Sequence, residues 1–169
     1  MGLKQIASET VTSATSSVDL IGTTTDDCYM IVVNGYIPTS DAADLRARVL
    51  ESSTPNTTAN YDRAFLAIRT DTTYSNQANT NETYYDLTTA VGNSTGEQMN
   101  GIIYLYNAND SNEYTYLSAE NSQLSHTAVL IGNQGSAVFT SNSQVNGIRL
   151  YPDTGTIASG TFTLYQIEQ

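Results

Sequence analysis

The chain has 169 residues, enough for one domain, with 17 acidic side chains against six basic ones and a formal charge of −11. That charge repels phosphate backbones and anionic lipid, so nucleic acid and membrane surfaces are excluded as expected partners. Thr, Ser and Asn number 25, 17 and 15, and they favour strands and turns over helix interiors, while 39% apolar residues is too many for a disordered chain.

In chain order, short alternating segments recur between turn clusters. Ile6 to Val11 and Ser17 to Ile21 come first. Residues 1–16 can be read as an N-terminal arm, in which Ile6 to Val11 either adds a strand to a neighbour's sheet edge or forms the first strand of its own domain. Tyr29 to Ile37 is the strongest strand signal, interrupted by Asn34-Gly35 and closed by Pro38. Leu45, Ala47 and Val49 alternate with Arg46 and Arg48, the pattern of a strand with one wet face. A helix over 40–50, capped by Ser40 or Asp41, is the competing reading there. Ala64, Leu66 and Ile68 repeat the alternation, with Arg63 and Arg69 taken as the wet side, and a long polar loop then leads to a weak segment at Tyr84 to Thr88.

Met99 to Asn107 is apolar at successive positions, which predicts a central strand buried on both faces. Tyr114 to Leu117, Thr127 to Ile131, Ala137 to Phe139, Ile148 to Tyr151 and Phe162 to Ile167 complete the series. Asn-Gly pairs at 100–101 and 146–147 stand before apolar runs, where a turn or bulge would launch a strand. Ten to twelve short strands at this spacing read as a β-sandwich or barrel, and an all-β, single-domain antiparallel β-sandwich over 1–169 is the expectation. The last segment is expected inside a sheet, with Phe162 and Leu164 inward and Thr161, Thr163 and Tyr165 outward.

Groups for chemistry are sparse. His126 is the one histidine, with no acid near it in sequence and no nucleophile-elbow motif in the chain. Cys28 is the one cysteine, expected as a small buried hydrophobe at the head of its strand. One His and one Cys cannot fill a zinc shell. Asp26-Asp27 reads as a turn. Asn107, Asn109, Ser111 and Glu113 imitate the first half of a calcium loop, yet Asn112 replaces the required Gly and Ser118 the closing Glu, so a hairpin loop is the better reading. No enzyme, metal or cofactor is expected. The absence of a disulfide framework and of an apolar leader fits folding in a reducing cytoplasm. The three Asn-x-Ser/Thr triplets, at Asn56, Asn81 and Asn93, carry little weight in so Asn- and Thr-rich a chain.

Aromatic composition is skewed: 12 Tyr, three Phe and no Trp. Tyrosine has an apolar body and a polar tip, which suits contact surfaces and stacking on sugars. Tyr74, Tyr84 and Tyr85 lie in loop-like surroundings and are the candidate contact residues, whereas Tyr104, Tyr106 and Tyr165 are expected to pack on sheet faces.

At Gly101 to Asn107 and Asn146 to Ile167 the sequence resembles a group of tailed-phage virion proteins whose last strand reads Ile-Ala-Ser-Gly-Thr-Phe-x-Leu-Tyr-Gly. Ile157 to Tyr165 match it, and Gln166 stands where the group usually has Gly. Ile6 to Leu20, Asp26 to Gly35 and Asp44 to Val49 look similar as well. The resemblance implies a jelly-roll-like β-sandwich in a virion structural role, either as a capsid decoration (cement) protein on the outer capsid surface or as a fibre domain, and decoration is the expectation. It further implies a homo-oligomer, with three copies expected, made in the host cytoplasm and bound to the major capsid protein. The strand pattern leaves no room for a fibre shaft, so a fibre or spike domain that binds a carbohydrate or receptor is the alternative.

Overall fold

The computed structural model describes residues 2–25 and 27–168. Thirteen strands and no helix are found among them. The chain crosses repeatedly between two sheets, which is what makes the sandwich jelly-roll-like. In the large sheet lie β1 (Gly2–Val11), β3 (Tyr29–Pro38), β6 (Tyr61–Arg69), β7 (Tyr74–Glu82), β9 (Met99–Tyr106), β10 (Thr115–Leu124), β11 (Leu130–Phe139) and β13 (Ile157–Glu168). Their spatial order is β1-β13-β3-β9-β10-β11-β6-β7, and each neighbouring pair is antiparallel. The small sheet orders β2 (Val18–Ile21), β12 (Gly147–Pro152) and β4 (Leu45–Glu51), with β5 (Thr54–Pro55) and β8 (Tyr85–Asp86) sharing the far side of β4.

The core lies between the inner faces. Tyr29, Ile31, Val33 and Tyr36 of β3, Ile103 and Leu105 of β9, and Phe162 and Leu164 of β13 meet Leu45, Ala47 and Val49 of β4 and Ile148 and Leu150 of β12. Two aromatic clusters fill the ends: Tyr36 edge-on to Phe162 at 6.4 Å, and Tyr61 against both Tyr85 (4.7 Å) and Phe139 (4.9 Å). At one end the inner face turns polar. There Asn121 and Gln123 donate to the carbonyls of Leu87 and Thr89 and pin the returning segment after β8.

The terminal strand is internal, paired to β1 on one side and β3 on the other, with Phe162 and Leu164 fully buried. The backbone of the Ile157–Tyr165 motif explains its glycine. Register shifts in both strands place Gly35 (φ 67°) and Gly160 (φ 145°) in facing bulges. A Cβ on Gly160 would stand 3.1 Å from Tyr36 Cα, and φ there is one that L side chains rarely adopt. Gln166, the departure from the motif, ties the preceding loop down by donating to Asp27 Oδ2 at 2.7 Å.

Several expectations need correction. Residues 45–51 form strand, not helix. The expected long polar loop contains β7, whose sequence YSNQANTNE lacks alternation because nearly all of it is exposed at the sheet's edge. The expected segments Thr127–Ile131 and Ala137–Phe139 belong to one continuous strand, β11, which starts only at Leu130; Thr127 to Val129 lie in the turn before it. Asn100-Gly101 lies inside β9 rather than before it; a Cβ on Gly101 would meet Asn121 Cβ at 2.5 Å. The faces of β6 are inverted: Tyr61, Phe65 and Ala67 point inward, and Ala64 and Ile68 are exposed. Arg63 shares the inner parity because Asp86 receives it, Nη2 to Oδ2 at 2.7 Å.

Candidate interaction surface

The ion pair at Asp86 is the most elaborate charged group in the fold, and it is a clamp between sheets. Asp86 on β8 accepts from Arg46 Nε of β4 and Arg63 Nη2 of β6, each at 2.7 Å, and its side chain is 9% exposed. Arg46 also lies over the Tyr84 ring, 3.9 Å from its centroid. Nearby, burial together with Asp86 and Asp153 pushes the Asp44 carboxyl up to about 6, against an opposing hydrogen bond from the Ala90 N–H. No nucleophile or histidine joins this group.

The isolated groups stay isolated. His126 is exposed in the connection between β10 and β11. Cys28 is half-buried just before β3 rather than in it, and burial raises its thiol pKa. Asn107 to Glu113 form the β9–β10 hairpin loop. Asp26 lies outside the described residues. Among the described residues no three His, Cys, Asp or Glu side chains stand together as a metal site, and no helix is long and apolar enough to cross a membrane.

Of the candidate contact residues, one is on an open surface. Tyr74 is 74% exposed at the start of β7. Tyr84 is half-buried under Arg46. Tyr85 is fully buried against Tyr61, because β8 docks beside Ala47 of β4 and carries the ring inward; it is withdrawn as a contact residue. Ile6 and Val11 belong to β1, paired along its length with β13 of the same chain, so they do not form a free arm.

What the structure adds is the outer face of the large sheet. The register sets its residues in rows across the strands. One row runs Tyr165, Met30, Tyr104, Ser118, Ser136, Ala64, Ala78. A flanking row runs Val32, Ile102, Glu120, Gln134, Leu66, Asn76. The row on the other side holds Tyr106, Tyr116, Val138 and Asp62. Ile102, Tyr106, Tyr116 and Ile68 are each exposed, and Tyr104 and Tyr106 stack at 6.3 Å. Tyr74 joins the face at its corner, opposite Ile68.

The charges in these rows are Glu120, which accepts from Gln134 at 2.7 Å, and Asp62, which accepts the Asn81 N–H at 2.8 Å. The sequence carries the signal as apolar residues on both parities of Met99–Tyr106, a pattern that burial of both faces also produces. Compared with family models, with curated proteins and with solved structures, the chain matches none.

Proposed function

We propose that the chain is a non-enzymatic structural protein of a tailed-phage virion. In this reading it is a decoration or cement protein that docks on the outer capsid surface, contacts the major capsid protein and braces neighbouring subunits as a homo-oligomer, three copies being the expectation. The observation that carries the reading is the outer face of the large sheet: broad, rich in Tyr and aliphatic side chains, and nearly free of charge on a chain of net charge −11. Depletion of charge with enrichment of Tyr and Met is the composition of protein-contact surfaces. The resemblance at Ile157–Tyr165 supports the virion assignment. Contacts of standard size, repeated over a lattice, would resist internal pressure through multivalency.

The test is to add purified protein to phage particles that lack it and measure binding and the temperature of DNA release. Saturable binding with a higher release temperature is expected; a protein that ignores capsids refutes the reading. A fibre-type domain that binds a glycan or receptor is the second reading, favoured by the stacked Tyr104–Tyr106 pair, half-buried and exposed respectively on the outer face, since accessible rings stack on sugars.

A further inference from the structure

We propose that the outer face of the large sheet is where copies of this chain join, the ridge of one copy seated in the trough of the next. The relief of the face is the first reason. Along its central row the large side chains Tyr165, Met30 and Tyr104 occupy one half, on β13, β3 and β9. Ser118, Ser136, Ala64 and Ala78 occupy the other half, on β10, β11, β6 and β7. The small residues are walled by Glu120, Gln134 and Leu66 on one side and by Tyr116, Val138 and Asp62 on the other, which makes the trough.

Two depressions lie along it. One of ≈ 510 Å³ is bounded by Ile102, Tyr104, Ser118 and Gln134, and one of ≈ 300 Å³ by Ala64, Tyr116, Ser136 and Val138. Both depressions are open to solvent, so a side chain of a facing surface can settle into either.

The face is complementary to itself. A twofold axis parallel to the strands, over the gap between β9 and β10, carries each ridge onto the partner copy's trough. Tyr104 then lies over Ser118, Met30 over Ser136 and Tyr165 over Ala64. In a trimer the two halves would instead meet two different neighbours, each ridge in the next copy's trough around the threefold.

Size and charge agree with a second copy as the occupant. The 17 positions of the three rows, at about 4.8 Å between strands and ~6.8 Å along them, cover an area on the order of 550 Å², the larger part of one partner's share of a standard interface. A standard interface takes about 800 Å² from each partner. Two copies of net charge −11 repel over most of their surfaces. This face, with Glu120 and Asp62 as the charges in its rows, lets them approach at least cost.

The inference rests on the proposed function only in treating the chain as a binding protein, and its test uses free protein without capsids. Light scattering and sedimentation at about 50 µM chain should give two or three times 18.2 kDa. The substitutions Ser136→Arg and Ala64→Arg, both at exposed positions, should each weaken association at least tenfold and leave the melting temperature within a few degrees. Tyr104→Ala should weaken it less, and Thr58→Arg, in an exposed loop, should not change the mass. A wild-type protein that runs as a monomer, or trough variants that keep the oligomer mass, would overturn the proposal. So would a monomer whose tyrosine fluorescence is quenched by a polysaccharide, which would assign the face to a glycan.

Discussion

Deleting the chain after Gly160 removes the strand on which the large sheet depends. Phe162 and Leu164 are each fully buried, and losing such side chains with partial collapse of the gap costs about 3–5 and 2–5 kcal/mol respectively. The Tyr36–Phe162 edge contact adds roughly 0.5–1.5 kcal/mol beyond area. Without residues 161–168, β1 also loses its pairing partner at every position from Gly2 to Thr10 except Ile6, where the register slips. A domain is stable by about 5–15 kcal/mol in total, so the truncated chain should be unfolded or insoluble.

Because an insoluble product carries little information, the graded version is Phe162→Ala. At a cost of about 4 kcal/mol and a urea slope near 2 kcal/mol/M, its midpoint should fall by about 2 M. Urea denaturation followed by far-UV circular dichroism reads this directly. A midpoint within 0.3 M of wild type (roughly half a kcal/mol on the same slope) or a truncated chain melting within a few degrees of full length would refute an internal, core-closing β13.

Asp86→Asn should destabilise by about 3–5 kcal/mol in the same assay, since it leaves the Arg63 guanidinium buried without its carboxylate; a loss under 1 kcal/mol would argue against the clamp. Asp44 has a folded pKa of about 6, above its unfolded value of 3.8, so its stabilising contribution is complete below pH ~4 and lost as pH rises through ~6. Asp44→Asn should therefore raise the melting temperature at pH 7.5 and leave it unchanged at pH 3.5, and an equal gain at both would refute the sign. Gly160→Ala should cost about 1–3 kcal/mol, because φ of 145° and the approach to Tyr36 both oppose a Cβ. Chelator treatment should leave the melting temperature unchanged, and a drop reversed by calcium would revive the Asn107 to Glu113 loop as a site.

The strands that the sequence announced are those with a single competing demand. In β4 the Arg46 and Arg48 side chains leave the inner parity to Leu45, Ala47 and Val49, and the alternation has one solution. The β13 motif is legible for the same reason. In β6 both parities carry apolar side chains, so periodicity alone leaves the face undecided. What decides it is Asp86, brought to Arg63 by tertiary packing that no local window contains. Tyr85 is illegible for the same reason, since a two-residue strand is too short to show a period and its burial comes from docking on Ala47. In β7 the period is absent because an edge strand exposed on both sides has no apolar face to keep.

The outer face of the large sheet shows where pattern reading and physical chemistry part. Apolar residues on both parities of a strand report that both faces leave water, but not whether one chain or two remove it. Met99–Tyr106 satisfies that condition on its inner side through Ile103 and Leu105, which are 1% and 0% exposed. Ile102 and Tyr106, on the outer side, remain 39% and 37% exposed in the single chain. A face that is apolar by sequence and wet by structure has an unmet demand, and a chain rich in Thr, Ser and Asn had soluble residues at hand for those positions. The same strands place Ser118, Ser136 and Ala64 beside the tyrosines, where larger polar side chains would fit without strain on an open face. Large residues on one half and small ones on the other follow from a demand on shape, and shape is constrained only where something rigid is pressed against it.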